Sequence, residues 1–495
     1  METVLKNEEF ITNEHQYSRK EIIAAFLSML LGLFITESVF FSDRTVYFSA
    51  AVCAILFLGF AVVFYKENVK LGNKYIIAQA LVILLFSVNL IIGSNITIRN
   101  LNIFTLFLAS DYFVYTLSSG KIKPGIYYLG EIFSSVYRIP FRYSACCIKA
   151  IKSIFSNIKI GMLKPVLTGL ALSIPVMVFV VPLLISADEN MENIFIEIIN
   201  GAFIDNINIG RSIARVVLTL ITGSRIYAVI FGNSIHDSDE CENEESGPKK
   251  YFQPVVIVSM IFPLCMLYIV FFCSQLGYFV SAFMGTLPDE FSYAEYARRG
   301  FFELCGVASI NLGVSAFINS VCEKPDGRSP LALKLCLIVM SLFTEVLIAT
   351  ALSKMIMYIV SYGFTPLRIY ATVFMAAMAA FFTMMIVKQV CEEFDIRSGA
   401  VVTVLTALLL VSYGRVDART AQFNILLYKS GVTEELDTNL LGRLSDEAVP
   451  YIHALAKSGG SYSEEAENIL EKKYIRKHEF NFSSYRAEKI LEKYR

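Results

Sequence analysis

The stretch 75–95, YIIAQALVILLFSVNLIIGSN, carries no charged residue from Tyr75 to Asn95. Its length is what a helix needs to cross roughly 30 Å of hydrocarbon at about 1.5 Å per residue. Runs of this kind, each about 17–25 residues, recur along the chain, and short clusters between them hold most of the charge. The pattern predicts an all-α protein: a polytopic transmembrane helical bundle of about eleven spans, ten to twelve allowing for loose boundaries, with a small soluble α-helical C-terminal tail. The expected spans lie near 21–38, 46–65, 75–95, 101–118, 162–186, 213–234, 254–278, 300–319, 331–358, 366–387 and 398–413. Asn102, Ser110 and Asp111 interrupt the fourth, and the last is short. The expected division is a membrane domain over 1–413, with an amphipathic interfacial segment at 126–159, and a soluble helical tail over 414–495.

Composition points the same way. A soluble chain is about 45–50% apolar and about a quarter charged, whereas this one is 55% apolar and 18% charged, with mean hydropathy +0.56. The formal net charge of −1 offers no bulk attraction to nucleic acid, so no such partner is expected. The partner the sequence does imply is the lipid bilayer. Cys53, Cys265, Cys273, Cys305 and Cys336 lie in apolar runs and read as small buried hydrophobes. Tryptophan is absent, so an aromatic belt at the membrane surface must rest on the 26 tyrosines. The first apolar run starts near Ile22 and lacks a small-x-small site, so no cleaved leader is expected.

Basic loops are retained in the cytoplasm. Lys6, Arg19 and Lys20 precede the first span; Lys66, Lys70 and Lys74 follow the second. The segment 119–164 and the loops 320–334 and 388–397 are also basic. Alternate connections are poorer in Lys and Arg, and the stretch 188–210 is acidic. Strict alternation places the N-terminus inside, 188–210 outside as an amphipathic surface helix, and the tail outside. Cys146, Cys147, Cys241, Cys322 and Cys391, in or beside connections, all fall on the inner side. Within 126–159, Arg142, Lys149 and Lys152 share about 80° of helical arc, which suits a helix lying against anionic headgroups or packed on the bundle. The acidic loop 236–247 is expected to be solvated.

Familiar catalytic motifs are missing: no P-loop, no GxGxxG after a strand, no HExxH and no nucleophile elbow. The four histidines, His15, His236, His453 and His478, are isolated and outside the spans. No catalytic residue, metal ligand or cofactor is assigned. The informative residues are polar ones at membrane depth, which are costly in lipid and so should face protein or water. Arg299 lies one helical turn from both Glu295 and Glu303, and Asn311 and Ser315 extend a polar flank. Glu345 is mid-span, with Asn311 or Arg368 as candidate partners; Lys354 sits nearer a span end, where it can snorkel. Arg299, Glu303, Asn311, Glu345 and Arg368 therefore form either a polar path or a buried cluster joining helices.

The tail is highly charged, with apolar residues at helical spacing: Leu436, Leu440, Leu441, Leu444, then Ile469, Leu470 and Tyr474. Its opening carries Asp417, Ala421 and Asn424, then Leu436-Asp437, then Leu444-Ser445-Asp446-Glu447-Ala448-Val449-Pro450. With Glu295–Asn311 and Tyr362–Arg368, these phrases resemble a multi-pass membrane family widespread in bacteria and known only as a domain of unknown function. In that family an Asp-containing turn opens the tail, an Ala-x-x-Asn helix follows, and a Leu-Ser-x-Asp-Ala-Val-Pro phrase comes later. The chain departs from it in having Asp446-Glu447 in place of x-Asp and Arg415 where Asn is expected. The resemblance spans roughly 160–455, singles out Asp417, Asn424, Asp437 and Ser445, and implies a bacterial plasma-membrane location with no known activity.

Two functional readings follow. The leading one is transport or export of a small or amphiphilic solute along Glu303, Asn311 and Glu345. The other is a non-catalytic envelope scaffold or sensor whose tail binds a protein partner. A membrane-embedded transferase would need a carboxylate pair on a cavity; the adjacent Asp289 and Glu290 belong to an expected outer loop.

Overall fold

Ser18 opens the first helix with a reciprocal cap: the Glu21 N–H donates to Ser18 Oγ at 3.3 Å and the Ser18 N–H to Glu21 Oε2 at 2.7 Å. In hydrocarbon the backbone must satisfy itself, so apolar runs become helices and polar residues gather where helices begin. The computed structural model describes residues 15–42, 45–67, 73–120, 128–156, 209–235, 252–274, 301–321, 330–391, 393–475 and 480–494. Within them the elements are α1 (Arg19–Ile35, prolonged by a π turn over Thr36–Phe40), α2 (Val46–Phe64), α3 (Lys74–Ile92) and α4 (Ile96–Ser119). Then come α5 (Tyr128–Phe133), α6 (Ile139–Tyr143), α7 (Cys146–Ser156), α8 (Ile209–Ile235), α9 (Pro254–Ser274) and α10 (Phe301–Val321). α11 (Leu331–Tyr362), α12 (Pro366–Val390) and α13 (Ile396–Tyr413) precede the tail helices. These are α14 (Val416–Lys429), α15 (Thr438–Arg443), α16 (Val449–Ala456), α17 (Ser463–Ile475) and α18 (Phe482–Leu491). Asn73, Asn95, Thr365 and Asp395 cap α3, α4, α12 and α13 through their side chains.

Among the described residues, eight helices are long and apolar enough to cross a membrane: α1 with its π turn, α2, α3, α8, α9, α11, α12 and α13. Three expected spans are absent from that set. The one at 162–186 lies outside the described residues, as do the stretches 188–208 and 236–250. α10 contributes a shorter apolar stretch, Cys305–Ile318. α4 has membrane length but carries Arg99, Asn102, Thr105, Ser110 and Asp111, all buried. α2, α3 and α13 pack around it, so its polar groups meet protein rather than lipid.

The chain forms two compact units. One comprises residues 1–42 and 134–235. Here α1 and α8 run antiparallel: Gly32 meets Gly223, the Thr222 hydroxyl donates to the Gly32 carbonyl at 3.2 Å, and Glu37 pairs with Arg215 at 3.1 Å. A Cβ on Gly32 would lie 2.6 Å from the Gly223 nitrogen, so only glycine permits this approach. α7 buries Cys146, Cys147 and Ala150, and α8 buries every residue from Ile226 to Phe231.

The other unit holds residues 43–133 and 236–495. Its apolar clusters join α9, α10 and α11 around Ile261, Met340 and Leu347, and α10, α11 and α12 around Ala351, Met378 and Phe382. Outward-facing Ile77, Leu81, Leu84 and Val88 form a lipid-facing stripe on α3. The tail has its own core, with Leu441, Val449, Ile452, Leu455, Leu470 and Leu491 buried together. Of the residues expected at helical spacing, Leu436, Leu444 and Leu470 are buried there, while Leu440, Ile469 and Tyr474 pack at its edge.

Candidate functional site

Tight connections at the ends of the spans carry the tail. Between α11 and α12, Gly363 adopts φ 75°, ψ −179°, a conformation essentially closed to residues with a Cβ. The Asn424 amide from α14 clamps the next residue, accepting from the Phe364 N–H at 2.7 Å and donating to its carbonyl at 2.9 Å. The rings of Phe364 and Phe423 lie 4.2 Å apart. Arg368 turns back onto this bend: its guanidinium donates to the Tyr362 carbonyl at 3.1 Å and to the Gly363 carbonyl, and lies 3.9 Å from the Tyr358 ring centroid. It therefore does not partner Glu345.

Between α3 and α4 the turn Gly93-Ser94-Asn95 meets two buried acids of the tail. The Ser94 N–H donates to Glu447 Oε1 at 3.2 Å, and the Glu447 N–H returns a bond to Ser94 Oγ at 3.2 Å. Asn95 Nδ2 donates to Asp417 Oδ2 at 2.9 Å, and the Ser445 N–H reaches the same oxygen at 2.9 Å. The Tyr370 hydroxyl accepts from Asn95 at 3.4 Å. Glu447 is 6% exposed, and burial raises its carboxyl above the usual range. Asp417 and Asp446 raise it further, against the Ser94 N–H and Arg415, which lower it. Glu447 Oε2, Ser445 Oγ and Thr420 Oγ1 are buried without a hydrogen-bond partner among the described residues. Arg415, at the head of α14, is left-handed with φ 47°. Asn tolerates that region better than Arg, which gives a physical sense to the Asn expected there.

Inside the spans, polar side chains bond to one another. Asn102 Nδ2 donates to Asn89 Oδ1 at 2.7 Å, Asn89 Nδ2 to the Ser412 carbonyl at 2.8 Å, and Ser412 Oγ to Asn102 Oδ1 at 2.7 Å. This ring ties α3, α4 and α13. Arg99 lies 3.5 Å from the centroid of the Tyr47 ring. Asn311 is fully buried; it accepts from the Tyr268 hydroxyl and donates to Thr344 Oγ1 at 2.8 Å, joining α9, α10 and α11. Glu345 accepts from Thr383 Oγ1 of α12 at 2.8 Å on a partly exposed margin, so its partner is neither Asn311 nor Arg368. Lys354, expected to snorkel, is fully buried. Its place on the face of α11 shared with Thr350 and Ala351 turns it into protein instead. The backbone of Glu303 belongs to α10, but its side chain and all of Arg299 lie outside the described residues, as do Asp289 and Glu290. A crevice between α10, α11 and α12 is apolar, lined by Cys305, Ala308, Leu347, Ile348, Ala351 and Met378 among others.

Elsewhere, Arg142 and Lys149 are half-buried and Lys152 is exposed, while Phe141 and Ile148 on the same segment face outward. Asp437 caps α15, accepting from the Leu440 N–H at 2.8 Å. Among the described residues no group of three or more His, Cys, Asp or Glu is arranged to hold a metal ion.

A family model described as "Domain of unknown function (DUF4153)" matches residues 52–455. The chain belongs to this family. The match begins within α2 and ends within α16, so it takes in the Ser94–Glu447 and Asn95–Asp417 contacts and reaches well before the phrases that carry the resemblance. No curated protein and no solved structure matches the chain. Sequence reasoning named Asp417, Asn424 and Ser445 but not Glu447, Ser94 or Asn95. An acid standing at the family's Asp position was the available signal for Glu447.

Proposed function

We propose that this integral membrane protein is a non-catalytic scaffold whose bundle holds the C-terminal helices at the membrane surface, where they meet a protein partner. The observation that carries this reading is Asn311: the strongest polar group at the middle of α10 is spent on Tyr268 and Thr344, as helix-joining bonds are. The Asn89–Asn102–Ser412 ring and the apolar crevice support the same view. Solute transport, the rival reading, needs these groups to line a path. In reconstituted vesicles, Asn311→Leu separates the two. The scaffold reading expects no solute flux above that of empty vesicles and a loss of roughly 1–2 kcal/mol of stability. Flux that Asn311→Leu abolishes at unchanged melting temperature would replace scaffold with transport.

We further propose a bacterial plasma membrane, with the N-terminus in the cytoplasm and the tail on the far side. The resemblance supports the membrane, and the distribution of basic residues supports the orientation. The ends bearing the tail, 93–95 and 363–365, contain no Lys or Arg, whereas Lys74 and Lys388 sit at the opposite ends of α3 and α12, with Lys66 after α2 and Arg397 at the start of α13 in the connections beside them. In a chain freed of its native cysteines, Lys457→Cys should react with an impermeant maleimide in intact cells and Lys66→Cys should not. The reverse pattern overturns the orientation.

A further inference from the structure

α18 is fastened to the spans at its first turn. Ser483 Oγ donates to the carbonyl of Ile92, the last residue of α3, at 2.7 Å, thereby satisfying one of the carbonyls a helix end leaves open. Just before it, the Phe480 ring meets Phe48, in the first turn of α2, edge-on at 5.3 Å. The start of α18 therefore stands level with the ends of two membrane-crossing helices. Asn481 caps it, accepting from the Ser484 N–H at 2.7 Å, and Ser484 Oγ bonds Asp446 of the tail. Its inner face, Ser483, Ser484, Ala487 and Leu491, is buried.

The outer face is different. Phe480, Phe482 and Tyr485 are 57%, 65% and 53% exposed. Phe482, Tyr485, Arg486 and Lys489 share about 100° of helical arc, and the Lys489 ammonium lies 4.6 Å from the centroid of the Tyr485 ring. The aromatics come first, nearest the span ends, and the cations follow one turn on. The exposed stripe of α3 runs on through Val88 to Ile92, the residue whose carbonyl Ser483 holds. Aromatic rings with a polar or cationic neighbour are the groups that settle in the headgroup layer.

We infer that α18 is an interfacial anchor: Phe480, Phe482 and Tyr485 enter the headgroup layer of the leaflet in which α2 begins and α3 ends, and Arg486 and Lys489 meet lipid phosphates. The occupant of this face is the phospholipid surface, and the anchor holds whether the bundle is scaffold or transporter.

The absence of tryptophan supplies the test. Phe482→Trp in the full chain, reconstituted in phosphatidylcholine vesicles, creates a sole tryptophan, which red-edge excitation reads apart from the tyrosines. Its emission should be blue-shifted, quenched when the lipids carry bromine near the top of the acyl chains, and largely spared by aqueous iodide. Asn468→Trp, on the exposed face of α17, should show red-shifted emission quenched by iodide and indifferent to bromine. Tyr485→Trp repeats the measurement where Phe482→Trp folds poorly. Iodide quenching without bromine quenching at both 482 and 485 would overturn the anchor.

Discussion

Where α1 meets α8, Gly32 and Gly223 bring two backbones together and the seam rests chiefly on close packing, helped by Thr36 and Thr222 and by the half-exposed Glu37–Arg215 pair at its end. Where α3, α4 and α13 meet, the helices are joined by the closed ring of Asn89, Asn102 and Ser412. Lipid offers no hydrophobic push between helices, so either close van der Waals contact or polar bonding must supply the attraction. The two seams take one route each. The first tolerates no added volume; the second tolerates no lost partner.

The sharpest way to break this contrast is Gly32→Val. Its Cβ would lie 2.6 and 2.7 Å from Gly223 backbone atoms, which cannot swing aside like a side chain. Overpacking of this kind costs about 1–3 kcal/mol or more, and a melting curve in detergent should show the loss. Unchanged melting would mean that close approach does not hold α1 to α8. Next comes Asn102→Leu, which leaves Asn89 Oδ1 and Ser412 Oγ buried without these partners. The expected loss is about 1–2 kcal/mol, and the double variant with Asn89→Leu should cost less than the sum of the two singles. Strict additivity would show that the ring does not act as a unit.

The smallest effect belongs to the tail junction, a third kind of contact, where an acid rather than an amide meets the turn. Because the folded carboxyl of Glu447 is raised by burial, the folded state binds its proton more tightly than the unfolded chain. Its contribution is then fully present below about pH 4, the ordinary glutamate value, and is lost as pH rises through the raised one. Glu447→Gln retains an acceptor for the Ser94 N–H and should remove this dependence, leaving the tail more resistant to protease at neutral pH than wild type. A wild-type profile already flat from about pH 4 upward would sink the argument.

Much of this architecture was legible in the chain alone. Apolar runs with charge at their ends impose helices, because a bilayer leaves the backbone no other partner, and Gly363-Phe364-Thr365-Pro366 announces a turn and a helix start. The resemblance also pointed to Asn424 and Asp417. Partners were another matter. Glu447 and Ser94 are 353 residues apart, and Asn89 and Ser412 are 323 apart. Periodicity tells which face of a helix is polar, not which helix will stand against it. Glu345 looked toward Asn311 or Arg368 and found Thr383; Lys354 looked toward the surface and is buried. Local sequence determined the helices and their ends, because backbone hydrogen bonding and hydrophobicity act within each segment. Only the tertiary structure decided which polar groups meet, because a buried polar group is satisfied by whatever the neighbouring helix presents at its depth.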